Sequence, residues 1–195
     1  MRLVLASESV YRRELLDRLR IPYEARAHRL DEAAHASTLP SDLPLSSLAL
    51  ALAKGKAESL SEALPDAYLL ASDQVAAIDG EILHKPGSRD VAVAQLLRLQ
   101  GREHQLFTAI ALRTPEGVVH QLVDEHRLLM RTLTREEVER YVDTEEPFDC
   151  CGSYKIESLG ISLFESIRGD DFTAITGLPL MALSRLLRQV GFSIP

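Results

Sequence analysis

The sequence predicts a mixed α/β protein built on long antiparallel hairpins, without a regular βαβ alternation. Three features carry that reading. The apolar run Leu3-Val4-Leu5-Ala6 breaks at Ser7-Glu8-Ser9 and gives way to Leu15, Leu16 and Leu19 at helical spacing, a strand followed by an amphipathic helix. Asp79-Gly80 stands between two apolar runs as a hairpin turn signal. The stretch from Gln105 to Leu133 reads as two long strands joined at Pro115-Glu116-Gly117. With 195 residues, 46% of them apolar, the chain can bury a substantial core and is most simply one domain, residues 1–195.

Each element follows from local chemistry. Ser9 suits the N-cap of the first helix, since its hydroxyl can satisfy an N–H of the first turn. Residues 35–45, with two prolines and several small polar residues, predict a long loop. A helix is expected from Ser46 to Leu64, ended near Pro65. Residues 67–78 (AYLLASDQVAAI) read as a buried strand leading through the hairpin turn into 81–86 (EILHKP). Ser88 is placed to cap a helix running to Gly101. Thr134 with Glu137 three residues on forms a capping box for a helix through Tyr141. Residues 160–167 (GISLFESI) look like a strand, and Pro179 suits the first turn of a last helix that runs through Leu180, Leu183, Leu187 and Val190 to Gly191.

Composition bounds the function. A net charge of −7 argues against a nucleic-acid-binding face, although a small anionic ligand needs only local positive charge. No apolar run approaches the ~20 residues that span a membrane, and the N-terminus lacks a signal-peptide pattern, so a soluble, cytoplasmic protein is expected. The two cysteines, Cys150 and Cys151, are adjacent and read as buried thiols. The six histidines are scattered, with no pattern for structural zinc.

Four constellations hold reactive residue types. Arg12 and Arg13 fall near the first turn of a helix, whose N–H groups favour anions over cations. An anion at that helix mouth would give both guanidiniums, Ser7 and Ser9 a use; two solvated arginines are the alternative. Lys56 lies four residues from both Leu52 and Leu60 on the apolar face of its helix, so it either snorkels past the core edge or meets an anion, whereas Lys54 reads as solvated. Ser72-Asp73-Gln74 closes a buried apolar run, where a sheet would fix catalytic groups rigidly, though Asp73 could equally cap a turn or pair with a lysine. Lys85-Pro86 after the hairpin can return a cation to that neighbourhood. Asp31-Glu32 and Asp170-Asp171 are acidic pairs, each either a solvated charge or, beside phosphate-binding cations, a Mg²⁺ site.

These pieces occur in the order of a known family. Ser7-x-Ser9-x-x-Arg12, Asp31-Glu32, Lys56-Ala57, Ser72-Asp73, Lys85-Pro86, Gly152-Ser153-Tyr154 and Gly177-Leu178-Pro179 together resemble the Maf family of nucleoside triphosphate pyrophosphatases over nearly the whole chain. Val10 departs from the proline usual there. The resemblance implies an inosine-triphosphatase-like α/β fold, an elongated mixed β-sheet flanked by helices, with two lobes around a cleft. It implies hydrolysis of a nucleoside triphosphate to the monophosphate and pyrophosphate with Mg²⁺ or Mn²⁺, and a homodimer. It makes Asp73 the proton acceptor for the attacking water or a metal ligand beside it, and makes Glu32 a metal-holding residue. Arg12, Arg13, Lys56 and Lys85 would clamp the phosphates, and Ser7 and Ser9 would add hydrogen bonds.

Three further positions, Tyr11, Gln74 and Glu157, match the family's substrate selectors. The branch acting on dTTP and UTP has arginine, threonine and glutamine there. An aromatic residue, glutamine and glutamate resemble the branch acting on 7-methyl-GTP, although tryptophan is more usual there than tyrosine. The physics is consistent with that branch. Guanine offers N–H donors that suit a carboxylate, and a cationic methylated base gains ~0.5–2 kcal/mol by stacking on Tyr11. Alternatives are a dTTP/UTP pyrophosphatase and a non-catalytic nucleotide-binding regulator of septum formation.

Overall fold

A computed structural model describes all residues, Met1–Pro195. The opening strand forms at Leu3–Ala6 (β1), and Ser9 opens the helix Val10–Asp17 (α1) by accepting a hydrogen bond from the Arg12 N–H. Two short elements follow that the sequence did not announce. A three-residue strand, Glu24–Arg26 (β2), pairs in parallel with β1. A helix, Glu32–Ser37 (α2), is capped by Asp31 and occupies the first part of the expected 35–45 loop, which therefore begins only at Thr38.

The next helix spans Leu45–Glu58 (α3) and stops short of Leu64. Beyond it the Leu60 N–H bonds back three residues to the Ala57 carbonyl, and the Ser59 hydroxyl returns to the Lys56 carbonyl at 2.7 Å. Serine hydroxyls that bond the preceding turn in this way compete with the helical ladder. The strand Tyr68–Ile78 (β3) lies parallel to β1, with Leu5 opposite Leu70, and turns at Asp79-Gly80 into antiparallel Glu81–Leu83 (β4).

Ser88 stands at the cap of Arg89–Leu99 (α4) but makes no side-chain cap bond. The two long strands are Glu103–Arg113 (β5) and Val119–Met130 (β6). The Thr134/Glu137 capping box opens Arg135–Glu145 (α5), four residues longer than expected. The last strand is Phe164–Arg168 (β7), since Leu159–Leu163 forms a 3-10 turn where a strand was expected. Pro179 takes the cap position of Leu180–Gln189 (α6). The sheet order is β2-β1-β3-β5-β6-β7, with β4 on β3. Parallel and antiparallel pairs coexist, so the sheet is mixed, as the sequence implied. No helix is long and apolar enough to cross a membrane.

The chain divides into two compact units, and β3, β5 and β6 each begin in one and end in the other. The first unit comprises Met1–Gln74, Thr108–Asp124 and Asp171–Pro195. Its core joins Leu3 and Leu5 of β1, Leu15 and Leu16 of α1, Leu70, Ile110, and Leu183 and Leu187 of α6. The second comprises Val75–Phe107 and Glu125–Asp170. Here α4 contacts α5, tied at the surface by Arg89 and Asp143, and His104, Tyr154 and Phe164 form a ring cluster. Burial lowers the His104 pKa to about 4, so this ring is neutral at pH 7. Cys150 and Cys151 are free and only partly buried, which corrects the expectation of buried thiols.

Candidate active site

The site in the first unit is built where β1 ends beside β3. Ser7 and Ser72 each follow two residues after the paired Leu5 and Leu70. Ser7 is buried, and its Oγ accepts from the Ser9 N–H at 3.2 Å and from Arg12 Nη1 at 3.5 Å. Arg12 Nε donates to the Gly177 carbonyl at 3.2 Å, and the Ser72 hydroxyl donates to that same oxygen at 2.7 Å. Gly177 has φ +120, a conformation that disfavours any side chain, and a Cβ there would stand 3.3 Å from Arg12 Nε. Arg13 is exposed and turns to the Glu8 carbonyl at 3.5 Å. With Ser7, Glu8, Ala25, Arg26 and Ala27 it lines a cavity of about 270 Å³.

Lys56 does not snorkel. It is buried, with Nζ 2.5 Å from Asp73 Oδ1 and 3.0 Å from Glu32 Oε2. Three elements meet in this cluster: α3 supplies the lysine from its buried face, β3 supplies Asp73, and the first turn of α2 supplies Glu32. Asp73 is itself only 5% exposed. Burial pushes its carboxyl above the ordinary carboxylate range, opposed by the charge and hydrogen bond of Lys56 and by the charge of Arg12. Oδ1 is engaged by Lys56, whereas Oδ2 accepts no hydrogen bond from the protein. Glu32 Oε1 lies 3.4 Å from Nε2 of His28, whose buried Nδ1 has no partner.

Gln74, the next residue of β3, is held by its amide nitrogen. Nε2 donates toward Thr108 Oγ1 at 3.1 Å, the Ala174 carbonyl at 3.0 Å and the Ile175 carbonyl at 2.9 Å. Tyr11 is half-buried on α1. Ser7, Ser9, Arg12, Glu32, Lys56, Asp73 and Gln74 thus share one unit, while exposed Lys85 and Glu157 belong to the other. Sequence reasoning missed His28 and Thr108. His28 carries no motif, and Thr108 is one polar residue inside an apolar strand, a position that signals a buried partner without naming it. Asp171 is buried as a cap: its carboxylate accepts from the Thr173 N–H and hydroxyl and from the Met181 N–H.

Two carboxylates, Asp73 and Glu32, converge on the one buried ammonium of Lys56, and no group of three or more acidic, histidine or cysteine side chains gathers around a common point. Two carboxylates are as many as Mg²⁺ usually takes from a protein when phosphate oxygens complete its shell.

Residues 2–190 match the family described as Maf-like protein. The chain belongs to the Maf family. It is 47% identical over 194 residues to a 7-methyl-GTP pyrophosphatase of Xanthomonas oryzae pv. oryzae (strain MAFF 311018), covering 100% of this chain and 99% of that one. A 7-methyl-GTP pyrophosphatase of Aromatoleum aromaticum (strain DSM 19018 / LMG 30748 / EbN1) is 45% identical over 195 residues, covering 100% and 98%. Among solved structures, the Staphylococcus aureus Ham1 protein aligns with TM-score 0.53 at 12% identity, over 97% of this chain and 100% of that one. A HAM1 protein from Coxiella burnetii aligns with TM-score 0.50 at 15% identity, over 97% and 99%. Identities this low speak for the fold alone, and they bear out the mixed α/β fold that the motifs of this Maf protein implied.

Proposed function

We propose that this Maf protein hydrolyses 7-methyl-GTP and related modified nucleotides to the monophosphate and pyrophosphate, removing them before polymerases can use them. The observation that carries the reading is the buried Lys56–Asp73 pair, with Glu32 on the same ammonium, beside the Ser7/Arg12 cradle. Arg12, Arg13, Lys56 and Lys85 neutralise the triphosphate, and Ser7 and Ser9 add hydrogen bonds to its oxygens. Asp73, held by Lys56 through Oδ1, takes the proton of the attacking water at Oδ2. Oxygen from that water joins the α-phosphorus, the bond to the bridging oxygen breaks, and pyrophosphate leaves with the electron pair. Glu32 would hold the Mg²⁺ or Mn²⁺ ion, with Asp73 as its ligand in the alternative where Asp73 does not take the water's proton; the ion would supply charge neutralisation for the phosphoryl oxygens.

Names of full-length relatives at 45–47% identity support 7-methyl-GTP as the substrate. Chemistry at the selector positions supports it too. Tyr11 offers an electron-rich face for a cationic base, and Glu157 offers acceptors for guanine N–H groups. Pyrimidines set carbonyl oxygens against such acceptors and offer them fewer N–H groups. The test is parallel incubation of the purified protein with Mg²⁺ and 7-methyl-GTP, GTP, dTTP, UTP or CTP, measuring monophosphate and pyrophosphate. Cleavage of 7-methyl-GTP above the others, abolished in Asp73→Asn, is expected. Preference for dTTP or UTP would overturn the selector reading, and nucleotide binding without turnover would point to the regulator.

A further inference from the structure

The anchoring of Gln74 decides which of its two hydrogen-bonding groups a base can meet. Its Nε2 faces two backbone carbonyls, those of Ala174 and Ile175. A flipped amide would set Oε1 against both oxygens and lose both bonds, so the orientation follows from the acceptors around it. Thr108 completes the lock. Its hydroxyl gives its proton to the Ala174 carbonyl at 2.9 Å, which leaves Oγ1 to face Nε2 as an acceptor. Thr108 is 1% exposed, and nothing else claims its hydroxyl. The amide nitrogen is therefore consumed inside the protein, and Oε1, which accepts no hydrogen bond from it, is the group left over. A Cβ at Gly177 would stand 3.5 Å from Oε1, in ordinary van der Waals contact, so the glycine lines the space beside that oxygen.

The geometry points to Thr108 as a positioning residue for base selection: with the Ala174 and Ile175 carbonyls it fixes Gln74 as an acceptor, so that the site takes a base whose edge offers N–H donors. This rests on Gln74 being a selector, as proposed above, and adds the direction of the bond. An oxygen presented to guanine meets N1–H or the 2-amino group. Presented to uracil, it meets a single N3–H flanked by two carbonyls that it repels.

The test compares kcat/KM for 7-methyl-GTP and UTP in the wild type, Thr108→Val and Thr108→Ser. Valine keeps the shape and removes both hydrogen bonds, which releases the Ala174 carbonyl that Thr108 holds against Nε2 and so weakens the anchor of the amide. A roughly 10-fold loss of the 7-methyl-GTP/UTP ratio is expected, of the size that follows when one polar partner is removed. The loss should lie in KM more than in kcat, and serine should restore it. A general loosening would lower both substrates alike and leave the ratio intact, which would overturn the assignment, as would a serine variant indistinguishable from valine.

Should the valine variant fail to fold, Gln74→Glu gives the same decision. A carboxylate is a good acceptor but sets oxygen against the Ala174 and Ile175 carbonyls, so the ratio should fall. A ratio kept or raised by glutamate would show that anchoring through nitrogen is irrelevant. If the wild type does not cleave 7-methyl-GTP at all, the functional reading fails first, an outcome distinct from an unchanged ratio in the variants.

Discussion

Two of the chain's adjacent acidic pairs, Asp31-Glu32 and Asp170-Asp171, look alike in sequence and divide their labour differently in the fold. In each pair one carboxylate is spent on the backbone: Asp31 accepts the Ala34 N–H of α2, and Asp171 accepts three hydrogen bonds that tie residues 171–173 to the start of α6. The second member differs. Glu32 reaches Lys56 at 3.0 Å, whereas Asp170 is exposed and makes no hydrogen bond or ion pair. Of these four carboxylates only Glu32 is left for chemistry, because the fold holds a buried cation in front of it.

Removing that cation should have the largest effect. Lys56→Met leaves Asp73 buried without its partner, and turnover should fall about 1000-fold, as when a preorganised charged donor is lost. Stability should fall by about 3 kcal/mol, since breaking a buried pair strands the remaining charge. Steady-state kinetics and thermal unfolding check both, and near-normal turnover would reduce the cluster to scaffolding. Next come the reactive and structural acids. Glu32→Gln should lower turnover on the order of 10–100-fold and raise the Mg²⁺ concentration required, as for a weakened metal site, with little change in melting temperature because the side chain is 45% exposed. Asp171→Asn should do the reverse, costing about 1–3 kcal/mol of stability through lost buried hydrogen bonds while turnover changes far less. An Asp171→Asn protein that melts normally but is inactive would erase the distinction. The smallest effects belong to the outer members: Asp31→Ala should cost about 1 kcal/mol as a lost N-cap, and Asp170→Ala should stay within about 0.5 kcal/mol, as for an uninvolved surface residue.

What could be read from the sequence were the features enforced by local chemistry. The Ser9 cap, the Asp79-Gly80 turn and the Thr134/Glu137 box each rest on residues within four positions of one another, and all three form where expected. The features missed depend on distant partners. β2 is three residues long, two of them exposed, and exists because β1 offers it an edge and Arg2 pairs with Glu24. Residues 159–163 alternate like a strand, yet a Cβ at Gly160 would lie 2.2 Å from the Lys155 carbonyl, a close backbone approach that no local pattern announces. The site shows the same divide. Spacing on α3 turned Lys56 inward, but the carboxylates that meet it come from 17 and 24 residues away. The direction of the Gln74 amide was invisible, being set by carbonyls 100 and 101 residues further on.

The bond from Arg12 to the Gly177 carbonyl spans 165 residues, and its consequence concerns the order in which the protein is made. A ribosome delivers Ser7, Ser9 and Arg12 at least 165 residues before Gly177. The first unit is stitched from three separated stretches, the final one beginning at Asp171. Domains that can fold while still being synthesised do so from the N-terminus, but the first unit cannot close in that way: its helix mouth stays unfinished until the stretch from Asp171 has followed. Nascent chains of this protein should remain without activity until Asp171–Pro195 has emerged, and the first unit should then gain site and fold together.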